Sequence, residues 1–121
     1  MVVTKEHKRY LMSWSKDMDF KVILTNKAET QAQKILDYIF YELKNTQAAF
    51  SVEQDMKETI GRLSRIADSL KLCDDSDLSA MGYRTIHLKR HRYFMLYKII
   101  ENCVFVMGIY HDLQDYENAL K

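Results

Sequence analysis

The residues best suited to chemistry are clustered. Between Leu78 and Ile100 stand five cations, Arg84, Lys89, Arg90, Arg92 and Lys98, together with His87 and His91, and no Asp or Glu. Strand alternation sets Arg84 and Ile86 on one face and Tyr83, Thr85 and His87 on the other. A twisted hairpin would bring Arg84, Lys89, Arg92 and Lys98 toward one concave rim. Cations beside tyrosines suit phosphate contacts with base stacking, suit an acidic protein surface equally well, and also fit ordinary solvated edge charges. Metal-free RNA cleavage needs a base, an acid and a cation at the developing phosphate charge. His87, His91 and His111 are the acid–base groups available, Arg84 or Arg92 the cation, and Tyr93 or Tyr116 helpers. Their spacing leaves convergence open, and each histidine reads as well as a structural or surface residue.

Other chemistries are excluded by spacing. His87 and His91 stand four apart in a strand and turn, so no helical zinc face forms. The acidic stretch Cys73–Ser79 lacks the Gly and the distal Glu of a calcium loop, and Asp74 and Asp75 read as solvated turn residues. No Gly-rich phosphate loop and no Ser or Cys nucleophile signature is present. No cofactor and no metal is expected.

The elements that must carry these groups follow from periodicity. Phe20–Thr25 alternates as a strand. With Asn26 as N-cap, the apolar positions Ala28, Ala32, Ile35, Leu36, Ile39, Phe40 and Leu43 form a helical stripe ending near Lys44 and Asn45. Thr46 caps a second helix whose stripe is Ala49, Val52, Met56, Ile60, Leu63 and Ala67. A two-residue connection makes these helices antiparallel. Over residues 27–71 seven basic residues balance seven acidic ones, so the hairpin reads as a solvated scaffold. Cys73–Ser79 reads as an acidic turn. After Gly82 the pattern turns to strands, at Tyr83–Leu88, Tyr93–Ile100 and Cys103–Tyr110. The last two join through Glu101–Asn102, where Asn102 tolerates positive φ. Leu113, Tyr116 and Leu120 stand at helical spacing in the tail.

Strand, helix, helix and three strands make one α+β domain, a four-stranded sheet built from the first strand and an antiparallel meander, covered by the hairpin. The domain spans 19–121. Residues 1–18 read as an N-terminal extension, either a short amphipathic helix after Thr4 with Tyr10, Leu11 and Trp14 on one side, or a leader preceding a start at Met12 or Met18. The chain has 47% hydrophobic and 29% charged residues, no Pro and three Gly, as suits an ordered soluble domain. A net charge of +1 provides no global attraction for nucleic acid. Cys73 and Cys103, without CxxC spacing, are expected to be reduced thiols in a cytoplasmic protein. No signal peptide and no membrane span is legible.

The segments FKVILTNKAETQAQKILDYIFYEL, GYRTIHLKRHRYFMLYKI and VFVMGIYHDLQDYENAL resemble the RelE/ParE toxin superfamily from about Phe20 to Leu120, and the LDYIFYEL cadence is more similar to the ParE branch. The resemblance implies a growth-arresting toxin of a type II toxin–antitoxin, plasmid-stabilising module, bound in a hetero-oligomer by a cognate antitoxin. Two mechanisms occur in the superfamily, poisoning of DNA gyrase and ribosome-dependent mRNA cleavage. In RNase members an arginine precedes the third-strand tyrosine by three positions. Tyr97 resembles that tyrosine, and Phe94 stands where the arginine would be. His111 resembles a C-terminal histidine of several RNase members, and Arg84 a basic residue of the second strand. If the chain is an enzyme it is an endoribonuclease using His111, Arg92 and Arg84. The near-neutral charge and Phe94 fit gyrase binding better, and an inert binding module is the third reading. Arg84, Lys89, Arg90, His91, Arg92, Lys98 and Tyr116 are the expected target-contact residues. The antitoxin is expected to bury more than about 1,000 Å² in an apolar groove between hairpin and sheet, leaving the isolated toxin the less soluble.

Overall fold

A computed structural model describes residues 19–113. The order is β1 (Lys21–Leu24), α1 (Asn26–Asp37) continued by a π-helical turn (Tyr38–Glu42), α2 (Thr46–Ile66) with a 3₁₀ turn (Ala67–Ser69), α3 (Ser76–Ala80), β2 (Tyr83–His87), β3 (Tyr93–Ile100) and β4 (Cys103–His111). The four strands form one sheet in the order β1-β4-β3-β2. β2, β3 and β4 are the expected antiparallel meander, and β1 joins β4 in parallel, so the sheet is mixed. No helix among the described residues is long and apolar enough to cross a membrane.

Both helix starts fall one residue earlier than the sequence reading. Thr25, not Asn26, caps α1: its hydroxyl oxygen accepts from the Ala28 N–H at 3.2 Å and donates to the Val106 carbonyl at 3.0 Å. Thr25 thus ends the β1 ladder and starts the helix at once. Asn45, not Thr46, caps α2, accepting from the Ala48 N–H at 3.0 Å. The hairpin can be this short because Lys44 adopts φ 52° and reverses the chain. Cys73–Ser79 is more than a turn: Asp75 accepts from the Asp77 and Leu78 N–H groups and starts α3. In the β3–β4 connection positive φ falls on Glu101 (56°) rather than Asn102, whose carbonyl is engaged by the Lys21 N–H at 3.0 Å.

The α2 stripe is buried as its spacing requires, with Val52, Met56, Ile60, Leu63 and Ala67 against Val22, Tyr97, Val104 and Val106 of the sheet. The opposite sheet face is covered too. Cys73 and Leu78 pack there on Tyr83, Phe94, Leu96 and Tyr110. A register shift between Leu96 and Tyr97 bulges β4 at Met107 and keeps residues on both sides of it facing their own layers. Gly108 is required beside it, since a Cβ would lie 2.6 Å from Cε2 of the Tyr110 ring. Residues 1–18 and the tail beyond 113, with Tyr116 and Leu120, lie outside the described residues.

Candidate functional site

β2 ends, β3 begins and β4 ends on the same side of the molecule, where the α1–α2 tip also lies. The basic turn Leu88–Arg92 closes that end. Two of its hydrogen bonds are internal, Leu88 N–H to the Tyr93 carbonyl and Tyr93 N–H to the His91 carbonyl, both at 2.9 Å. Three further donors, the Lys89 and Arg90 N–H groups and the His91 ring, converge on Asp55 of α2, whose side chain is fully buried. Its Oδ1 accepts from the Lys89 N–H at 3.3 Å, and its Oδ2 from the Arg90 N–H at 2.9 Å and His91 Nδ1 at 2.8 Å. Burial pushes the Asp55 carboxyl up. The His91 bond, the Arg90 N–H and charge, and the Lys89 N–H outweigh it and hold the carboxyl below the usual range. Arg90 pairs with Glu58 at 3.0 Å. Ser51 Oγ stands 3.4 Å from His91 Nε2, which completes a Ser–His–Asp line. Ser51 sits inside α2, where neighbouring N–H groups belong to the helix ladder and are not free to serve an oxyanion.

Beside the turn, His87 lies 3.5 Å from the Asp112 carboxylate, and its carbonyl accepts from the Arg62 guanidinium at 3.1 Å. The Asp112 N–H reaches the Arg92 carbonyl at 2.9 Å. His111 stacks edge-on to Tyr93, with ring centroids 5.3 Å apart. Burial, and then the nearby Tyr38, push the Tyr93 phenol up from its ordinary value. His111 Nδ1 accepts from the Leu113 N–H at 3.1 Å. A backbone amide only donates, so in the neutral ring Nδ1 is the acceptor and the proton sits on Nε2.

The anticipated single rim is not assembled. Lys89, Arg90, His91, Arg92 and His111 share the turn end, but Arg84 and Lys98 lie toward the other end and on opposite faces. Arg84 pairs with Tyr97 on the helix face and Lys98 with Tyr83 on the other. The Arg84 guanidinium donates to the Leu70 carbonyl, which ties down the segment after α2. Lys98 Nζ sits 5.3 Å above the Tyr83 ring. Tyr97 is fully buried, its hydroxyl donates to the Ala67 carbonyl at 2.7 Å, and burial drives its pKa up to about 12. Phe94 is buried in the opposite layer. Tyr116 lies outside the described residues.

Two features were missed by the sequence reading. Asp55 stands on the buried stripe between Val52 and Met56, and a carboxylate at a core position of an amphipathic helix was the available signal. The second is an exposed apolar surface at the hairpin tip, formed by Tyr38, Phe40, Tyr41, Leu43 and Phe50. In YIFYEL five of six residues are apolar or aromatic, more than one helix face can bury, so some must face water. A cleft of about 320 Å³ opens there between the helices, lined by Leu36, Phe40, Tyr41, Ala49 and Phe50 with Asp37 and Glu53. The space between hairpin and sheet, where an antitoxin groove was expected, is filled by core side chains.

The family model of the ParE toxin of type II toxin–antitoxin systems, parDE, matches residues 22–116. No curated protein matches the sequence. Among solved structures the chain is similar to one from the chromosomal ParDE TA system of P. aeruginosa, with a TM-score of 0.64 and 20% identity over 76% of this chain and 95% of that one. At that identity the likeness speaks for the fold alone, the α+β sheet with its helical hairpin. Since the family match runs unbroken from β1 across the hairpin and the meander into the tail, the chain belongs to the ParE toxins of type II toxin–antitoxin systems.

Proposed function

We propose that this toxin arrests growth in the cytoplasm by binding DNA gyrase, without cutting RNA, and that a cognate antitoxin neutralises it in a plasmid-stabilising pair. The observation that carries the reading is the dispersal of the groups RNA cleavage would need. Tyr97 is buried and bonded to Ala67, Phe94 occupies the arginine's place inside a core layer, and Arg84 is engaged with Leu70. His111 Nδ1 is engaged by the Leu113 N–H, which takes up the lone pair a general base would use. What the turn end does offer is a contact surface, with Lys89 and Arg92 outward and exposed aromatics beside them.

The antitoxin, on this reading, lays a segment into the hairpin-tip cleft. The lining carries two carboxylates, Asp37 and Glu53, and no Lys or Arg, so the complementary segment bears apolar side chains flanked by Lys or Arg. A supercoiling assay with purified toxin and gyrase tests the reading. Inhibition at micromolar toxin, relieved by the antitoxin encoded beside the toxin gene, is expected. Full supercoiling activity at that concentration rules out the gyrase target.

A further inference from the structure

We propose that Asp55 is a positioning residue, the buried carboxylate that holds the Leu88–Arg92 turn in the shape that presents Lys89 and Arg92 to the toxin's target. The inference rests on the reading above that this turn touches the target. Asp55 lies on α2, 34 to 36 residues from its three donors, and its two oxygens meet the Lys89 and Arg90 N–H groups and the His91 ring. Without it those two partly buried amides would lose the acceptor they have.

The division of roles within the turn follows from this arrangement. His91 and Arg90 point back to α2, onto Asp55 and Glu58. Lys89 and Arg92 are exposed, and neither forms an ion pair among the described residues. The inward half of the turn is thus an anchor and the outward half a presented pair of cations. A site needs its supporting shell to hold contact groups to within a fraction of an ångström. Here that shell is one carboxylate, placed on the rigid core helix rather than on the turn itself. Thr59, whose hydroxyl donates to the Asp55 carbonyl at 2.8 Å, is the other buried polar residue of the same helix face. Glu58 acts from the surface on the Arg90 head group, so of these two α2 carboxylates only Asp55 holds the backbone of the turn.

The test uses the full chain induced in cells without antitoxin, with growth arrest read against soluble toxin per cell and amide exchange followed on purified protein. Asp55→Asn is expected to need roughly tenfold more soluble protein for the same arrest. Its Arg90 amide should exchange faster by a larger factor than the β4 amides, a local loosening that general destabilisation does not produce. The double variant Lys89→Ala/Arg92→Ala, which leaves the anchor intact, should lose arrest. Arrest by Asp55→Asn at the wild-type amount, with the double variant inert, overturns the positioning role and leaves the turn as contact. A double variant as toxic as wild type overturns the contact reading itself and the proposal with it. Should Asp55→Asn yield no soluble protein, His91→Ala removes one donor at a partly exposed position. Arrest by that variant at the wild-type amount overturns the proposal, and weaker arrest with faster Arg90 exchange supports it.

Discussion

A carboxylate survives without solvent at position 55 because three donors surround it, two of them backbone amides. The linkage has a definite sign. The folded carboxyl titrates below its unfolded value, so its contribution to stability is complete above about pH 4 and is lost as pH falls through the folded value. Urea unfolding from pH 6 to pH 3 should therefore show a drop in wild type that is shallower in Asp55→Asn. At neutral pH that variant should be less stable by about 1–3 kcal/mol, since one acceptor now serves donors that needed a charge. Tyr97 makes the complementary case. Removing its hydroxyl in Tyr97→Phe should cost about 1 kcal/mol in the unfolding midpoint, through the bond to Ala67, and leave growth arrest unchanged. Lost toxicity in a folded Tyr97→Phe protein would return that tyrosine to the reaction.

At the scale of elements, two turns and a bulge hold the strain. Glu101 occupies the left-handed region at φ 56°, where a Cβ costs about 1 kcal/mol or more, so Glu101→Gly should raise the unfolding midpoint. Gly108→Ala should lower stability by about 1–3 kcal/mol, because its methyl meets the Tyr110 ring inside a closed layer; chemical denaturation measures both. Much of this level was legible in the sequence. The α2 stripe and the meander followed from periods of 3.6 and 2, because each side chain there has one face to choose. Cap positions missed by one residue because adjacent residues were both good caps, and the fold decided between them: a long-range bond from Thr25 to Val106, and the Lys44 reversal before Asn45. The candidate site was less legible. Charge density revealed the basic turn, but which cations share a rim depends on strand register, and register set Arg84 and Lys98 on opposite faces. Asp55 meets its partners across 34 to 36 residues, a contact that only the packed fold creates.

The whole molecule combines near neutrality with two unlike surfaces at one end. Net charge is +1, too little to draw the protein onto a polyanion generally, so the proposed target contact relies on the few cations the turn presents. Next to them the hairpin tip leaves Tyr41, Leu43 and Phe50 each more than half exposed, an apolar surface of the kind that partner binding covers. Phe50→Lys should raise the solubility of the isolated toxin and weaken capture by the antitoxin at least tenfold, about 1.4 kcal/mol, as read by titration calorimetry. Catalysis and binding leave different traces in the cell. Mapping transcript 5′ ends at the onset of arrest, beside a measurement of chromosomal breaks, separates them most directly. Unchanged transcript ends and accumulating broken DNA are expected. Codon-phased cuts in mRNA with intact chromosomes would contradict it.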